Sequence, residues 1–168
     1  IIVTPPQRGK DPVVSSQRSE TVDLKDGICL VIDGIGGFGL SAANWLAAHG
    51  ASYIALATRS GKADDETIEE IRRWEKSGVT ASIHSCDVTN EEAVTKLLAA
   101  LRQKGPITGV IHAAMVLDDA LISNLNRERN RPVIESKVIG AGILDRLTRN
   151  DPLELFLLFS SATTMIGN

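Results

Sequence analysis

The feature that most constrains this chain is the run Asp33-Gly34-Ile35-Gly36-Gly37-Phe38-Gly39, set between an apolar stretch and a helical pattern. GICLVID (27–33) has the aliphatic character of a buried strand, and Gly36 to His49 reads as a helix ending before Gly50. Glycines spaced this way allow a tight turn, let backbone approach a pyrophosphate, and let the helix lie close to the sheet. The helix start then offers free N–H groups and a positive dipole end to phosphate. Alone, a glycine-rich run is a weak signal. At the junction of a strand and a helix it points to a dinucleotide, against the plainer reading of a close-packed turn.

The remaining pattern repeats that unit. SYIALA (52–57) reads as a second strand, followed by a helix carrying Ile68, Ile71 and Trp74 near helical spacing, and TASIHSC (80–86) as a third strand. Thr89 and Glu92 have the Thr-x-x-Glu form of a capping box. They would open a helix with Val94, Leu97, Leu98 and Leu101 on one face, stopped by Gly105-Pro106. ITGVIHAA (107–114) is the fourth strand, and a helical region from about Arg131 to Arg149 precedes LELFLLFS (153–160), the fifth. Aliphatic strands alternating with helices predict a Rossmann-like α/β fold, a doubly wound parallel sheet covered on both faces. Residues 7–26 are polar and without period, and read as a linker.

Composition excludes several classes. A net charge of −3 gives no basic footprint for nucleic acid and no polybasic segment for anionic lipid. No apolar run approaches the roughly 20 residues of a membrane span, and IIVTPPQRGK lacks the order of a signal peptide. Cys29 and Cys86 lie far apart in strand-like runs, which suits reduced, buried thiols of a cytoplasmic protein, with no metal site.

The end of the second strand sharpens the cofactor. An acidic residue there would hold a ribose 2′-hydroxyl, whereas an arginine accommodates a 2′-phosphate. The sequence has Arg59, followed by Ser60. A planar guanidinium matches phosphate in charge and hydrogen-bond geometry, which favours NADPH over NADH; the alternative is an exposed strand-end arginine. Asp87 closes the third strand, where it either accepts from the adenine amino group or helps cap the next helix.

From about Lys25 onward the chain resembles the ketoreductase domains of type I polyketide synthases and animal-type fatty-acid synthases, within the short-chain dehydrogenase/reductase superfamily. IDGIGGFGL is similar to the family's TGGxGGxG loop, ATRSG to its S-R-S-G, and CDVT to the third-strand end. GVIHAAMVLDDALI is similar to HAAGVLDD, ESKVIGA to P-K-V-x-G-A, and LFLLFSSATTMIGN to F-V-x-F-S-S. The resemblance implies a dinucleotide held by Gly34, Gly36, Gly37, Phe38, Gly39, Arg59, Ser60, Asp87, Val88, His112, Ala113 and Ala114. It implies that Ser161 hydrogen-bonds the substrate carbonyl and that Lys137 supports the catalytic tyrosine, since an ammonium beside a phenol favours phenolate. That tyrosine would fall beyond Asn168, so residues 27–168 are expected to be the NADPH-binding part of a domain truncated after its fifth strand and inactive alone.

The resemblance further implies reduction of a 3-oxoacyl thioester carried by an acyl carrier protein, with neighbouring synthase domains in the same polypeptide. His112 and the Asp118-Asp119 pair favour the polyketide type. Leu117-Asp118-Asp119 resembles the motif of the subtype that makes the D hydroxyl configuration, unless the two aspartates only start a helix. Asp33 and Met115 replace glycines of the family pattern. Residues 1–6 resemble the end of an enoylreductase domain. Rival readings are a fatty-acid synthase ketoreductase, a free-standing short-chain dehydrogenase, and a non-catalytic reductase fold kept as scaffold.

Overall fold

The computed structural model describes residue 22, residues 24–118 and residues 120–161. Five strands form one sheet: β1 (Ile28–Ile32), β2 (Tyr53–Thr58), β3 (Thr80–Ser85), β4 (Ile107–His112) and β5 (Leu155–Leu158). All four pairings are parallel, in the order β3-β2-β1-β4-β5. The strand order reverses between β1 and β4, the position at which doubly wound folds open a crevice for ligands. The crossovers are α1 (Gly37–Ala48), α2 (Asp65–Lys76), α3 (Glu91–Arg102), and a longer helical passage through α4 (Arg127–Ile134) and α5 (Gly140–Thr148). Among the described residues no helix is long and apolar enough to cross a membrane.

Strand periodicity divides the core in two. Ile28, Leu30 and Ile32 pack with Val94, Leu97, Leu98 and Leu101 of α3 and with Ile143 and Leu144 of α5. The alternate residues Cys29 and Val31 pack on the other face with Leu40, Ala43 and Leu46 of α1 and with Trp74 of α2. Both cysteines are free and buried. Leu24, near the end of the stretch expected to be a linker, is 1% exposed and belongs to the second cluster. That polar stretch therefore reaches into the core at its end. Residues 1–6 lie outside the described residues.

Four local expectations change. The capping box is not used: Asn90 is the N-cap of α3, its side chain accepting from Ala93 N–H at 3.0 Å. Thr89 instead turns its hydroxyl to Asp87 Oδ1 at 2.7 Å. On α2 the buried residues are Thr67 and Trp74, the latter donating to Asn44 Oδ1 at 2.8 Å, while Ile68 is exposed. The last helical region starts before Arg131, at Arg127, because Asn126 caps Arg129 N–H at 2.9 Å and Pro132 lies inside α4. Between α4 and α5 the chain widens into a π-helical turn, Glu135–Ile139. The sheet is also not covered evenly: β1 and β4 are buried throughout, but three of the four residues of β5 are exposed.

Candidate functional site

The glycine loop has the geometry its spacing predicts. Gly36 and Gly37 have φ of 73° and 49°, in the left-handed region, and a methyl on either would meet nothing within 4 Å. Gly34 and Gly39 are required for a different reason. A Cβ on Gly39 would sit 2.0 Å from Asp33 O, and one on Gly34 would sit 2.7 Å from Leu56 Cδ2. One glycine pair thus leaves open space at the helix start; in the other, Gly39 lets α1 approach the end of β1 and Gly34 lets the loop lie against Leu56 of β2. No side chain caps α1, so its first N–H groups form an uncapped positive end. Phe38, 73% exposed, lies on that first turn with its ring centroid 6.1 Å from that of Phe159.

A cleft of about 220 Å³ opens at the carboxyl ends of the strands, lined among others by Asp33, Arg59, Asp87, Val88, Ala114 and Met115. Its far wall comes from the last helical passage, through Pro132, Glu135 and Ser136. Arg59 and Ser60 lie on a tight turn after β2. Thr58 Oγ1 accepts Gly61 N–H at 3.0 Å, and Ser85 Oγ donates to Arg59 O at 3.0 Å. Gly61 has φ 64°, and a Cβ there would strike Ser85 Cβ at 2.8 Å, so only glycine fits under this turn. That glycine is the last letter of ATRSG, a signal the sequence offered.

Asp87 does not cap α3. Its Oδ1 takes both the N–H and the hydroxyl of Thr89, which hold its carboxyl below the usual carboxylate range, with Arg59 adding a smaller pull the same way. Asp33 occupies the left-handed region at φ 59°, a conformation aspartate tolerates better than most residues. Its N–H donates to Ala57 O at 2.7 Å, tying β1 to β2. Ala113 N–H donates to Ile32 O at 3.0 Å, tying β4 to β1 beside the cleft.

Lys137 stands on the π-helical turn, a device that recurs at functional sites. Its Nζ donates to Phe159 O at 2.9 Å, two residues before Ser161. Partial burial pushes its ammonium below the ordinary lysine pKa, and the Asp33 carboxylate opposes that. His112, expected among the cofactor contacts, is 2% exposed, and its ring faces the Ser136 carbonyl at 2.9 Å. Asp118 does not start a helix. It makes a two-point ion pair with the Arg129 guanidinium, pinning the loop after β4 to α4. Asp119 lies outside the described residues, as do residues 162–168. Among the described residues no cluster could hold a metal ion.

This fold, with a glycine loop at the β1–α1 junction and a helix-borne lysine tied to the end of β5, defines a domain of the short-chain dehydrogenase/reductase class. Residues 27–168 match the KR domain family, and the chain belongs to it, the ketoreductase domains of type I polyketide synthases. It is 39% identical over 142 residues to the polyketide synthase GfsA of Streptomyces halstedii, covering 84% of this chain and 2% of that protein. It is 36% identical over 146 residues to the highly reducing polyketide synthase ACTTS3 of Alternaria alternata, covering 86% of this chain and 6% of that protein. Among solved structures, A-type ketoreductases from a modular polyketide synthase superpose with a TM-score of 0.79 at 34% identity, covering 86% of this chain and 31% of that one. The ketoreductase from the first module of phoslactomycin biosynthesis in Streptomyces sp. HK803 gives 0.78 at 33% identity, over 86% of this chain and 34% of that one. The chain thus spans a small part of the curated relatives it matches. Ketoreductase domains depend on a nicotinamide cofactor.

Proposed function

We propose that this chain forms the NADPH-binding part of a ketoreductase that reduces a 3-oxoacyl thioester, carried by an acyl carrier protein, to the 3-hydroxyacyl thioester. The observation that carries the reading is Lys137 held on Phe159 O, which ties the π-helical turn at the cleft wall to the segment bearing Ser161. The residues fit a phosphorylated dinucleotide. Gly36 and Gly37 leave a cradle that side chains would fill, the uncapped start of α1 faces phosphate, Arg59 in the cleft wall provides a cation for a 2′-phosphate, and Ser60, next to it on the turn, a hydroxyl. NADPH, when bound, supplies the two electrons.

The chain's own work is positioning and electrostatics. Ser161 donates a hydrogen bond to the keto oxygen and polarises the carbonyl. Lys137 lowers the pKa of the tyrosine that the family pattern places beyond Asn168, and that tyrosine gives the oxygen its proton. Asp87 receives the adenine amino group. The neighbouring synthase domains and the carrier protein lie outside this chain.

Fluorescence titration of the full-length polypeptide with NADPH and NADH tests the cofactor, and turnover on a 3-oxoacyl thioester tests the chemistry. Arg59→Ala should weaken NADPH binding by about tenfold, the loss of one charge-assisted contact, and leave NADH binding nearly unchanged. Lys137→Ala and Ser161→Ala should cut turnover strongly with NADPH binding retained; near-normal turnover in both would sink the assigned roles. A scaffold reading draws on two residues of the cleft wall, the Asp33 carboxylate and the Met115 side chain. It predicts no saturable binding of either dinucleotide.

A further inference from the structure

Strand β4 ends in a buried histidine that the proposed chemistry does not use. Every residue of Ile107–His112 is buried, and an aliphatic side chain at position 112 would continue the run. The imidazole is there at a cost: among the described residues its Nδ1 has no hydrogen-bond partner. The other nitrogen, Nε2, lies 2.9 Å from Ser136 O. A carbonyl only accepts, so Nε2 carries the proton and Nδ1 is the bare nitrogen.

The backbone of the same residue reaches the same site by a second route. His112 O accepts Phe159 N–H at 3.0 Å, and Phe159 O accepts Lys137 Nζ at 2.9 Å. These bonds close a ring. It runs from the His112 ring to the Ser136–Lys137 peptide, along the lysine side chain to Phe159, and back to His112. The peptide that carries Lys137 and the ammonium at its tip are therefore both referred to one residue at the end of β4. Gly140 permits the approach, since a Cβ there would sit 3.1 Å from His112 Nε2 and 2.9 Å from Val88 Cγ1.

We propose that His112 is a positioning residue for Lys137, fixing the π-helical turn against β4 so that the ammonium meets Phe159 and stays in register with Ser161. This rests on Lys137 acting in the ketoreductase reaction. Lysine is a point charge on a long flexible stem, and a reaction that needs it in one place must restrain both ends. The ring itself does not reach a dinucleotide, because it is 2% exposed and its one N–H is spent on backbone. Burial, with the Lys137 ammonium adding to it, pushes the imidazole pKa below its ordinary value, against the opposing pulls of the Ser136 bond and Asp33. The group works as a neutral donor.

The test uses the full-length polypeptide with His112→Leu, which fills the space without a donor, and His112→Gln, whose amide N–H lies at similar reach. His112→Leu should lower kcat about tenfold to a hundredfold with the Kd for NADPH unchanged, and His112→Gln should recover most of it. The pH midpoint for acetic anhydride labelling of Lys137, read by mass spectrometry, should move toward that of an ordinary lysine in His112→Leu alone. That readout needs no turnover, so it separates failure of this inference from failure of the ketoreductase reading. If His112→Leu does not fold, His112→Asn, too short to reach Ser136 O, takes its place against His112→Gln. Equal behaviour of donor and non-donor variants, an unmoved labelling midpoint, or a weakened Kd for NADPH overturns the proposal.

Discussion

The two halves of the sheet are built on different terms. On the β1–β2–β3 side the site is made of backbone: left-handed glycines, a turn over Ser85, and an aspartate folded onto Thr89. On the β4–β5 side it is made of contacts between distant residues, His112 with Ser136, Phe159 with His112, and Lys137 with Phe159. Their edges differ as well. The β3 edge is polar, with Tyr53 and His84 both hydrogen-bonded to Ser82 Oγ and Lys104 Nζ donating to Tyr53 OH. The β5 edge carries Phe156, Leu157 and Leu158, all exposed. Charge and polarity blunt a sheet edge, and among the described residues only the β3 edge is built that way. The half proposed to hold the dinucleotide, the dinucleotide half, is thus set by local detail, and the lysine half depends on long-range fit.

Core truncation gives the largest test of that contrast. Leu30 on β1 is 0% exposed between α3 and α5, whereas Leu158 on β5 is 49% exposed. Leu30→Ala should cost about 4 kcal/mol by urea denaturation, the loss of buried methylenes plus a cavity. In a chain of residues 1–168 alone, Leu158→Ala should cost about 0.5 kcal/mol, as at a surface position. Comparable losses would mean that β5 is as deeply packed as β1, and the contrast between the halves would fail.

The same division explains what the sequence made legible. Glycine at 36, 37 and 39 answers to local backbone geometry, so residue type and spacing carried the information, and the phosphate role proposed for Arg59 rests on residue type and place in the same way. The aliphatic strands and the apolar stripe Val94, Leu97, Leu98 and Leu101 were legible for a like reason, since burial acts on each residue. The π-helical turn was not legible, because a helix and a widened helix share one periodicity over five residues. Nor was the part played by His112. An imidazole at a strand end carries no mark of its partner, and that partner, the Ser136 carbonyl, is a backbone atom 24 residues away. The resemblance to ketoreductases placed Lys137, and only the tertiary contacts tied it to Phe159.

A pH test comes next in size and bears on the dinucleotide half, where both thiols lie. Burial pushes the Cys29 thiol from 9.0 up to about 11, with Thr108 offsetting part of the rise. An acid whose pKa is raised on folding keeps a proton that the unfolded chain releases. Its contribution is therefore fully present below 9.0 and is lost as pH rises toward 11. Unfolding free energies from urea titration should fall over that window more steeply in the parent than in Cys29→Ala, by on the order of 2 kcal/mol at the alkaline end. Parallel curves would place the thiol in a wetter setting than β1 provides.

The smallest effect tests the crossover that joins the halves. Helix α3 follows β3 and leads into β4, and two adjacent residues competed to start it. Thr89 has the right type for an N-cap and a glutamate three positions on, but Asp87 claims its hydroxyl and its N–H. That bond folds residues 87–90 into a turn, with Asn90 N–H on Asp87 O at 3.0 Å, and brings the Asn90 side chain to Ala93 N–H. Asn90→Ala should therefore cost about 1 kcal/mol, the usual loss of an N-cap. Thr89→Ala removes a bond at an exposed turn and leaves the cap in place, so it should cost less and weaken Asp87's hold beside the cleft. If Thr89→Ala proves the more destabilising, the capping box is the true start of α3. Asp87 would then be free to move within the cleft wall, and the dinucleotide half would be less rigidly built than its hydrogen bonds indicate.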